Sequence, residues 1–242
     1  MSLPGAFSRG AVARRKAAKT ARRAPMSHIT LIRHGQANTG ARDETSYDRL
    51  SPLGHAQAEW LGQHLRETEA FHPRLYCGSL VRHRETVASM GLGMEPVVDP
   101  RLNELEYFTL SQLMERQHGV ALPNSREGFI DHLPMVFGHW ADDALDDVPE
   151  RFADFEQRVA ESLAEIAEGD GPALVVTSGG LISFAIRRAL GLDIPAASRV
   201  ALAIMNTSMH RLHPIGAHLT PVLFNAVPHL DTPERRHAQT HF

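Results

Sequence analysis

Apolar residues recur along the chain at two alternating spacings. Residues 28–33 (HITLIR) form a short β-branched run that stops at Gly35, which predicts a strand. After a polar loop, Leu53, Ala56, Trp60 and Leu61 stand at helical spacing over 52–66, and Ser51 ahead of Pro52 supplies an N-cap with proline in the first helical position. A second unit has the same form, with a strand over 74–77, a turn at Gly78 and Ser79, and a helix over 81–90. A third strand is predicted at 95–98. Phe152, Phe155, Val159, Leu163 and Ile166 share one face of a helix over 152–168, followed by a buried strand at 173–176 and a helix over 181–190. Two last strands are predicted at 200–211 and 220–225, antiparallel at a sheet edge, and 228–242 reads as a polar tail.

Repeated strand–helix alternation predicts an α/β fold, a three-layer sandwich whose mostly parallel central sheet carries helices on both faces, joined by right-handed crossovers. No internal repeat is visible. The rhythm breaks over 106–149, where Pro and Gly are scattered among Phe108, Phe129, Phe137 and Trp140 and end in an acidic cluster, Asp142, Asp143, Asp146 and Asp147. This stretch is predicted to be a cap-like insertion, either a surface excursion closing over the sheet or a lid that selects substrates.

A chain of 242 residues, 43% hydrophobic and 22% charged, suits one ample domain with a full core. No apolar run approaches the roughly 18 residues of a membrane span, so no membrane partner is expected. Cys77 is the only cysteine; no internal disulfide can form, and the cytoplasm is the expected compartment. The formal charge of −3 hides an asymmetry. Residues 1–25 hold Arg9, Arg14, Arg15, Lys16, Lys19, Arg22 and Arg23 and no acid, whereas the rest carries 18 basic and 28 acidic residues, a net −10. The basic extension is set apart from the domain at 26–242. It reads as residues carried from an upstream start, as a transit-type segment, or as an arm for an acidic partner. An acidic body repels nucleic acid, so any anion site has to be built locally, from placed arginines and backbone amides.

Ligands of open α/β sheets sit beyond the carboxyl ends of the strands, which directs attention to the residues just past each predicted strand. The first strand ends in Arg33-His34-Gly35, the second leads to Ser79-x-x-Arg82, the third to Glu104 through Arg101-Leu102-Asn103, and the fourth to Thr177-Ser178-Gly179-Gly180. A guanidinium fork and the amides of a helix N-terminus both suit a phosphoryl group. His34 is the strong nucleophile of the set. An imidazole attacks phosphorus only with one ring nitrogen unprotonated, and flanking Arg33 and Arg82 favour that form while stabilising the equatorial oxygens of the moving phosphoryl group. Glu104 is placed to give the leaving alkoxide its proton and then to activate water.

These residues resemble the histidine phosphatase superfamily, the phosphoglycerate-mutase-like proteins, whose signature is an R-H-G triplet closing the first strand. The resemblance covers nearly all of 27–242. It includes Leu31-Ile32-Arg33-His34-Gly35-Gln36, Leu50-Ser51 with Gly54 and Gln57-Ala58, Ser79-Leu80-Val81-Arg82 with Thr86, and Leu102-Asn103-Glu104. Asn206-Thr207-Ser208 and Phe224-Asn225 with His229-Leu230 are similar too. The resemblance implies a phosphohistidine on His34, phosphate ligands Arg33 and Arg82, a proton-donating Glu104, a small phosphorylated substrate, no cofactor and no metal. The sequence departs from the pattern in two places. A second histidine is usual before the Gly-Gly of the fourth strand's turn, where Ser178 stands, and the asparagine past the triplet is out of register, with Asn38 early and Gly40 in its place. Ser178 is expected to bind phosphate through its hydroxyl, beside Gly179 and Gly180, which let backbone come close.

Plainer roles compete for each residue. His34 as a buried structural histidine, Arg82 as a helix-surface partner of Glu85, and Glu106 as the proton donor in place of Glu104 all stay open. A serine-hydrolase elbow at Ser178 is excluded by Val176, which holds the place of its first glycine. Fifteen histidines invite a metal site, but His210 and His213 point to opposite faces of a strand and no H-E-x-x-H pair occurs. Hydrolysis of a small phosphomonoester is the leading functional expectation. The alternatives are a catalytically silent phosphate-ester binding protein, suggested by Ser178, and a phosphoglycerate-mutase-type phosphoryl transferase.

Overall fold

Strand β1 (Ile29–Arg33) is buried along its whole length, as an unbroken apolar run between two helical layers must be. The chain continues through α1 (Glu44–Tyr47), α2 (Pro52–Glu67), β2 (Arg74–Cys77), α3 (Val81–Met90) and β3 (Val97–Val98). Then come α4 (Tyr107–His118), α5 (Arg126–Ala141), α6 (Phe152–Glu168), β4 (Ala173–Thr177), α7 (Gly179–Leu190), α8 (Ile194–Ala203), β5 (Met209–Ile215) and β6 (His218–Ala226). The computed structural model describes residues 27–241, so the basic extension over 1–25 lies outside the described residues.

The six-stranded sheet has the order β3-β2-β4-β1-β5-β6. β3, β2, β4 and β1 run parallel, and β5 and β6 add an antiparallel edge. Side chains alternate across the sheet. Ile29, Leu31, Ala173 and Val175 face a core built with α4, α5, α6 and α7, among them Leu113, Phe137, Phe155 and Phe184. Ile32, Leu174 and Val176 face the other layer, where α2 and α3 supply Leu61, Leu65, Val87 and Met90. The three-layer sandwich expected from the strand–helix rhythm is present. Ser51 caps α2 by accepting from the Gly54 amide, with Pro52 in the first turn.

Three expectations need correction. The strand predicted over 200–211 is split: Val200–Ala203 belongs to α8, and β5 starts only at Met209. Asp193 caps α8 by accepting from the Ala196 amide, with Pro195 in its first turn, and this start signal outweighs the β-leaning apolar run that follows. The strand at 95–98 shrinks to the exposed pair Val97–Val98 at the sheet edge. The tail is not solvated polar chain, since His229, Leu230 and Ala238 are buried and pack with Val227 against Leu53 and Trp60 of α2. The stretch 106–149 contains α4 and α5, the latter running through Pro134, and its Phe137 and Trp140 join the main core. No helix among the described residues is long and apolar enough to cross a membrane.

Buried and half-buried imidazoles, His34 and His83 among them, contribute to the acid stability. Thr30 Oγ1 lies 3.1 Å from His72 Nε2, Ser208 Oγ 2.8 Å from His210 Nε2, and Thr207 Oγ1 2.8 Å from His229 Nε2. Burial pushes His72 down to about 4 and His210 and His229 down to about 3. The unfolded chain, with imidazoles near 6.5, binds more protons below that pH, so their stabilisation is full above about pH 6.5 and is lost as pH falls toward 3. Each contributes up to about 1.4 kcal/mol per pH unit in that window. Glu44, raised by burial to about 7, works in the opposite sense. The urea-unfolding free energy is expected to drop by about 3 kcal/mol between pH 7 and 5.5; a flat or rising profile would contradict the neutral burial of these rings.

Candidate active site

Parallel pairing in register, Arg33 opposite Thr177, ends β1 and β4 side by side, and beyond their carboxyl ends lies a cavity of about 630 Å³. Arg33, His34, Arg82, Glu104 and Gly179 line it. Five of the six positions singled out in the sequence therefore meet at one place. The sixth, Ser178, is fully buried beside them.

His34 is 1% exposed. Its Nδ1 lies 2.7 Å from its neighbour's carbonyl, Gly35 O. A carbonyl only accepts, so the proton sits on Nδ1 and Nε2 keeps its lone pair. Burial is the main reason that the ring is held well below the usual imidazole range, with Arg82, then Arg33, then His83 adding electrostatic pressure in the same direction. The neutral imidazole inferred from the flanking cations is thus present, with desolvation as its larger cause.

Both guanidinium groups are buried, Arg33 at 8% and Arg82 at 2% exposure. Arg33 Nη1 donates to the carbonyls of Ile204, at the end of α8, and His241. Arg82 does not pair with Glu85; its Nη1 donates to Asp48 Oδ1 at 3.1 Å, and the ring of Tyr47 lies under its guanidinium at 5.0 Å. Asp48 also accepts from the amides of Val81 and Arg82, capping α3 from another segment. The Nε of each arginine is buried with no hydrogen-bond partner. Both guanidinium groups also line the cavity, where charged donors fit an anion.

Glu104 takes the amides that the helix N-terminus was expected to offer a phosphate. Gly180 N donates to its Oε2 at 2.8 Å, and Leu181 N and Leu105 N donate to its Oε1 at 3.0 and 3.1 Å. The approach is close enough that a Cβ on residue 180 would meet Glu104 Oε1 at 2.4 Å, so any larger residue there would push the carboxylate out of these bonds. Oε2 accepts a single bond and keeps a lone pair for a proton. Gly179, the first residue of α7, is the part of that N-terminus that faces the cavity with its amide outside these bonds. Glu106 is exposed and accepts from Thr109 Oγ1, away from the cavity lining. The Ser178 oxygen is already engaged: its Oγ lies 2.7 Å from His83 Nε2.

The model of the histidine phosphatase superfamily, branch 1, matches residues 29–227. The chain belongs to that superfamily. Among solved structures, a phosphoserine phosphatase from Entamoeba histolytica, in complex with phosphoserine, is similar at 18% identity, covering 85% of this chain and all of its own, with a TM-score of 0.64. A mycobacterial glucosyl-3-phosphoglycerate phosphatase is similar at 22% identity, covering 83% of this chain and 99% of its own, with a TM-score of 0.58. At these identities the likeness establishes a shared fold. No curated protein matches the chain in sequence.

For this histidine phosphatase relative, sequence reasoning missed Glu44, Tyr47, Asp48, His83 and the C-terminal segment. Glu44 lines the cavity, accepts from the Phe108 amide at 2.8 Å and is pushed up to about 7, chiefly by burial. Tyr47 stands edge-on to His34 at 6.2 Å. The signal that could have found Asp48 is a buried arginine in need of an anion; nothing in local spacing marks it. Among the described residues, no group of His, Cys, Asp and Glu is arranged to hold a metal ion.

The state of His34 is directly measurable. In the free protein its ring is expected to show neutral Nδ1–H chemical shifts by NMR from pH 8 down to about 5.5, with no titration near the ordinary 6.5. A midpoint at or above 6.5 would overturn the assignment.

Proposed function

We propose that the protein hydrolyses a phosphomonoester through a phosphohistidine on His34. The observation that carries this reading is the neutral, buried imidazole flanked by two buried guanidinium groups, each with an Nε donor that has no acceptor. His34 Nε2 attacks phosphorus and the P–O ester bond breaks, with Arg33 and Arg82 holding the equatorial oxygens. The leaving alkoxide takes the proton of the Glu104 carboxyl group and departs as the alcohol. Water then attacks the phosphohistidine, gives its proton to the Glu104 carboxylate, and the P–N bond electrons return to Nε2. The Gly179 amide and the Ser178 hydroxyl complete the donor set around the phosphoryl group.

The cavity also bears on the alcohol. Tyr47, Phe108, Phe129, Leu133 and Phe137 line it, and about 630 Å³ lies within the usual range of small-ligand sites. A phosphomonoester with a partly apolar body fits better than a short, fully polar one. α4 and α5 supply most of that apolar wall, which assigns the stretch 106–149 the role of a substrate-selecting cap. The membership in the histidine phosphatase superfamily supports the reaction class, and the similar phosphatase structures support a phosphorylated small molecule as substrate.

Brief mixing with para-nitrophenyl phosphate is expected to leave acid-labile, base-stable phosphate on the protein, and His34→Ala to abolish both label and turnover while keeping the fold by circular dichroism. Turnover without a histidine-linked label, or a label on Ser178, would sink the mechanism. Glu104→Gln keeps the side-chain volume but removes the transferable proton and one of the two acceptor oxygens; kcat is expected to fall about 100-fold or more, within the span that general acid catalysis contributes. In single-turnover labelling, the loss in the rate of histidine phosphorylation should be largest for esters of weakly acidic alcohols and small for para-nitrophenyl phosphate, whose leaving group needs no proton, while breakdown of the phosphohistidine slows equally for both. Equal loss of the phosphorylation rate on both substrates would remove Glu104 from the acid role.

A further inference from the structure

His83 and Ser178 form a pair that the mechanism so far leaves idle. His83 follows Arg82 on α3, rotated by about 100°, so the two side chains leave the helix in different directions. Arg82 lines the cavity, whereas the His83 ring is fully buried. Its centroid is 5.8 Å from that of His34, and its Nε2 meets Ser178 Oγ at 2.7 Å. Ser178 stands one residue past the register of β1 and β4, where the His34 amide donates to Thr177 O at 2.8 Å, level with the nucleophile.

The second ring nitrogen fixes the polarity of the pair. His83 Nδ1 is buried with no hydrogen-bond partner, and it lies against the Gly78 backbone so closely that a Cβ on residue 78 would sit 2.3 Å from it. Burial and the charge of Arg82 keep this ring neutral, so it carries one proton. On Nδ1 that proton would be a buried donor with no acceptor, which proteins tolerate less readily than an unused lone pair. The proton therefore belongs on Nε2, where it donates to Ser178 Oγ and leaves the hydroxyl hydrogen to point elsewhere.

We propose that His83 is a positioning residue for phosphoryl transfer, its Nε2–H holding the Ser178 oxygen so that the serine hydroxyl donates to the phosphoryl group on His34. The inference rests on the phosphatase reading above and adds a residue to that site. No proton changes hands in the pair. A donor that is itself receiving a hydrogen bond is a stronger donor, so the serine gains strength from the imidazole without adding a third positive charge to the two arginines.

Four variants of the full-length chain test this, with para-nitrophenyl phosphate turnover and orthovanadate affinity by calorimetry as readouts. His83→Phe keeps the ring volume and removes the donor; Ser178→Ala removes the hydroxyl. Each is expected to lower kcat and weaken vanadate by about ten-fold, the worth of one hydrogen bond, with KM changing less than about two-fold. Their double variant is expected to match either single one, where independent roles would multiply to about a hundred-fold. His83→Gln, whose amide can replace the Nε2–H, is expected to recover most of the loss. Multiplying effects, a failure of Gln to rescue although it folds, or a Phe variant with unchanged kcat and vanadate affinity would each overturn the role of His83 and leave the phosphatase reading standing. A native chain that neither turns over nor binds vanadate fails the phosphatase reading, and the pair falls with it.

Discussion

Two guanidinium groups buried beside a buried imidazole are the costliest arrangement in this molecule, and much of the surrounding chain is organised to hold them. A buried cation without compensating partners costs several kcal/mol. Arg33 meets this cost with the carbonyls of Ile204 and His241, which explains why the last residues fold back over the sheet. Gln57 secures that return by donating to Ala238 O and Thr240 Oγ1. Arg82 meets it with Asp48, which ties the loop between β1 and α2 to the start of α3. The partners engage only one edge of each guanidinium, and the remaining donors are what an anion can use.

The same constraint separates what could be read from the sequence from what could not. Arg33, His34, Arg82, Glu104 and Gly179 were legible because each stands at or shortly beyond the carboxyl end of a strand, and a parallel sheet brings strand ends together whatever the loops do. The helix at 81–90 was readable to the residue, since its apolar face and the Gly91 stop are local signals. Asp48, by contrast, sits in a polar loop with no periodicity, and its role exists only once α3 is packed next to it. The 228–241 segment looked like solvated chain because its attachment runs largely through isolated side-chain bonds from scattered partners, Arg33, Gln57, Asn206 and Thr207, which leave little compositional trace. The misreading of 200–203 is of another kind. Val200, Ala201 and Leu202 fit a strand or a helix equally, and Asp193 with Pro195, upstream of the ambiguity, was the deciding signal.

Glu104 illustrates how a correct position can carry an incorrect picture of its surroundings. The α7 N-terminus was expected to present its amides to phosphate, and two of them, with the Leu105 amide, go to the carboxylate instead. This fixes the carboxyl group in one orientation at the cavity wall, which is what a proton donor to a defined leaving oxygen requires. The helix then contributes to the anion through Gly179 alone. In the proposed mechanism phosphate binding then falls more heavily on the two arginines, and their bracing by Ile204, His241 and Asp48 would be a condition for activity rather than for folding only.

That shift of burden gives a reason for a neutral third donor. A third cation would bind the ester, the phosphohistidine and the released inorganic phosphate alike, and interactions shared by ground and transition states lower KM without raising kcat. A hydroxyl held at fixed geometry by a buried imidazole binds the resting dianion weakly and gains most when charge builds on the equatorial oxygens, because a hydrogen bond strengthens with the charge of its acceptor. On the proposed mechanism the neutral state of His83, enforced by burial and by Arg82, becomes part of the site: the arginine proposed to bind the phosphoryl group also keeps its neighbour uncharged, and the two adjacent residues of α3 would divide attraction and alignment between them.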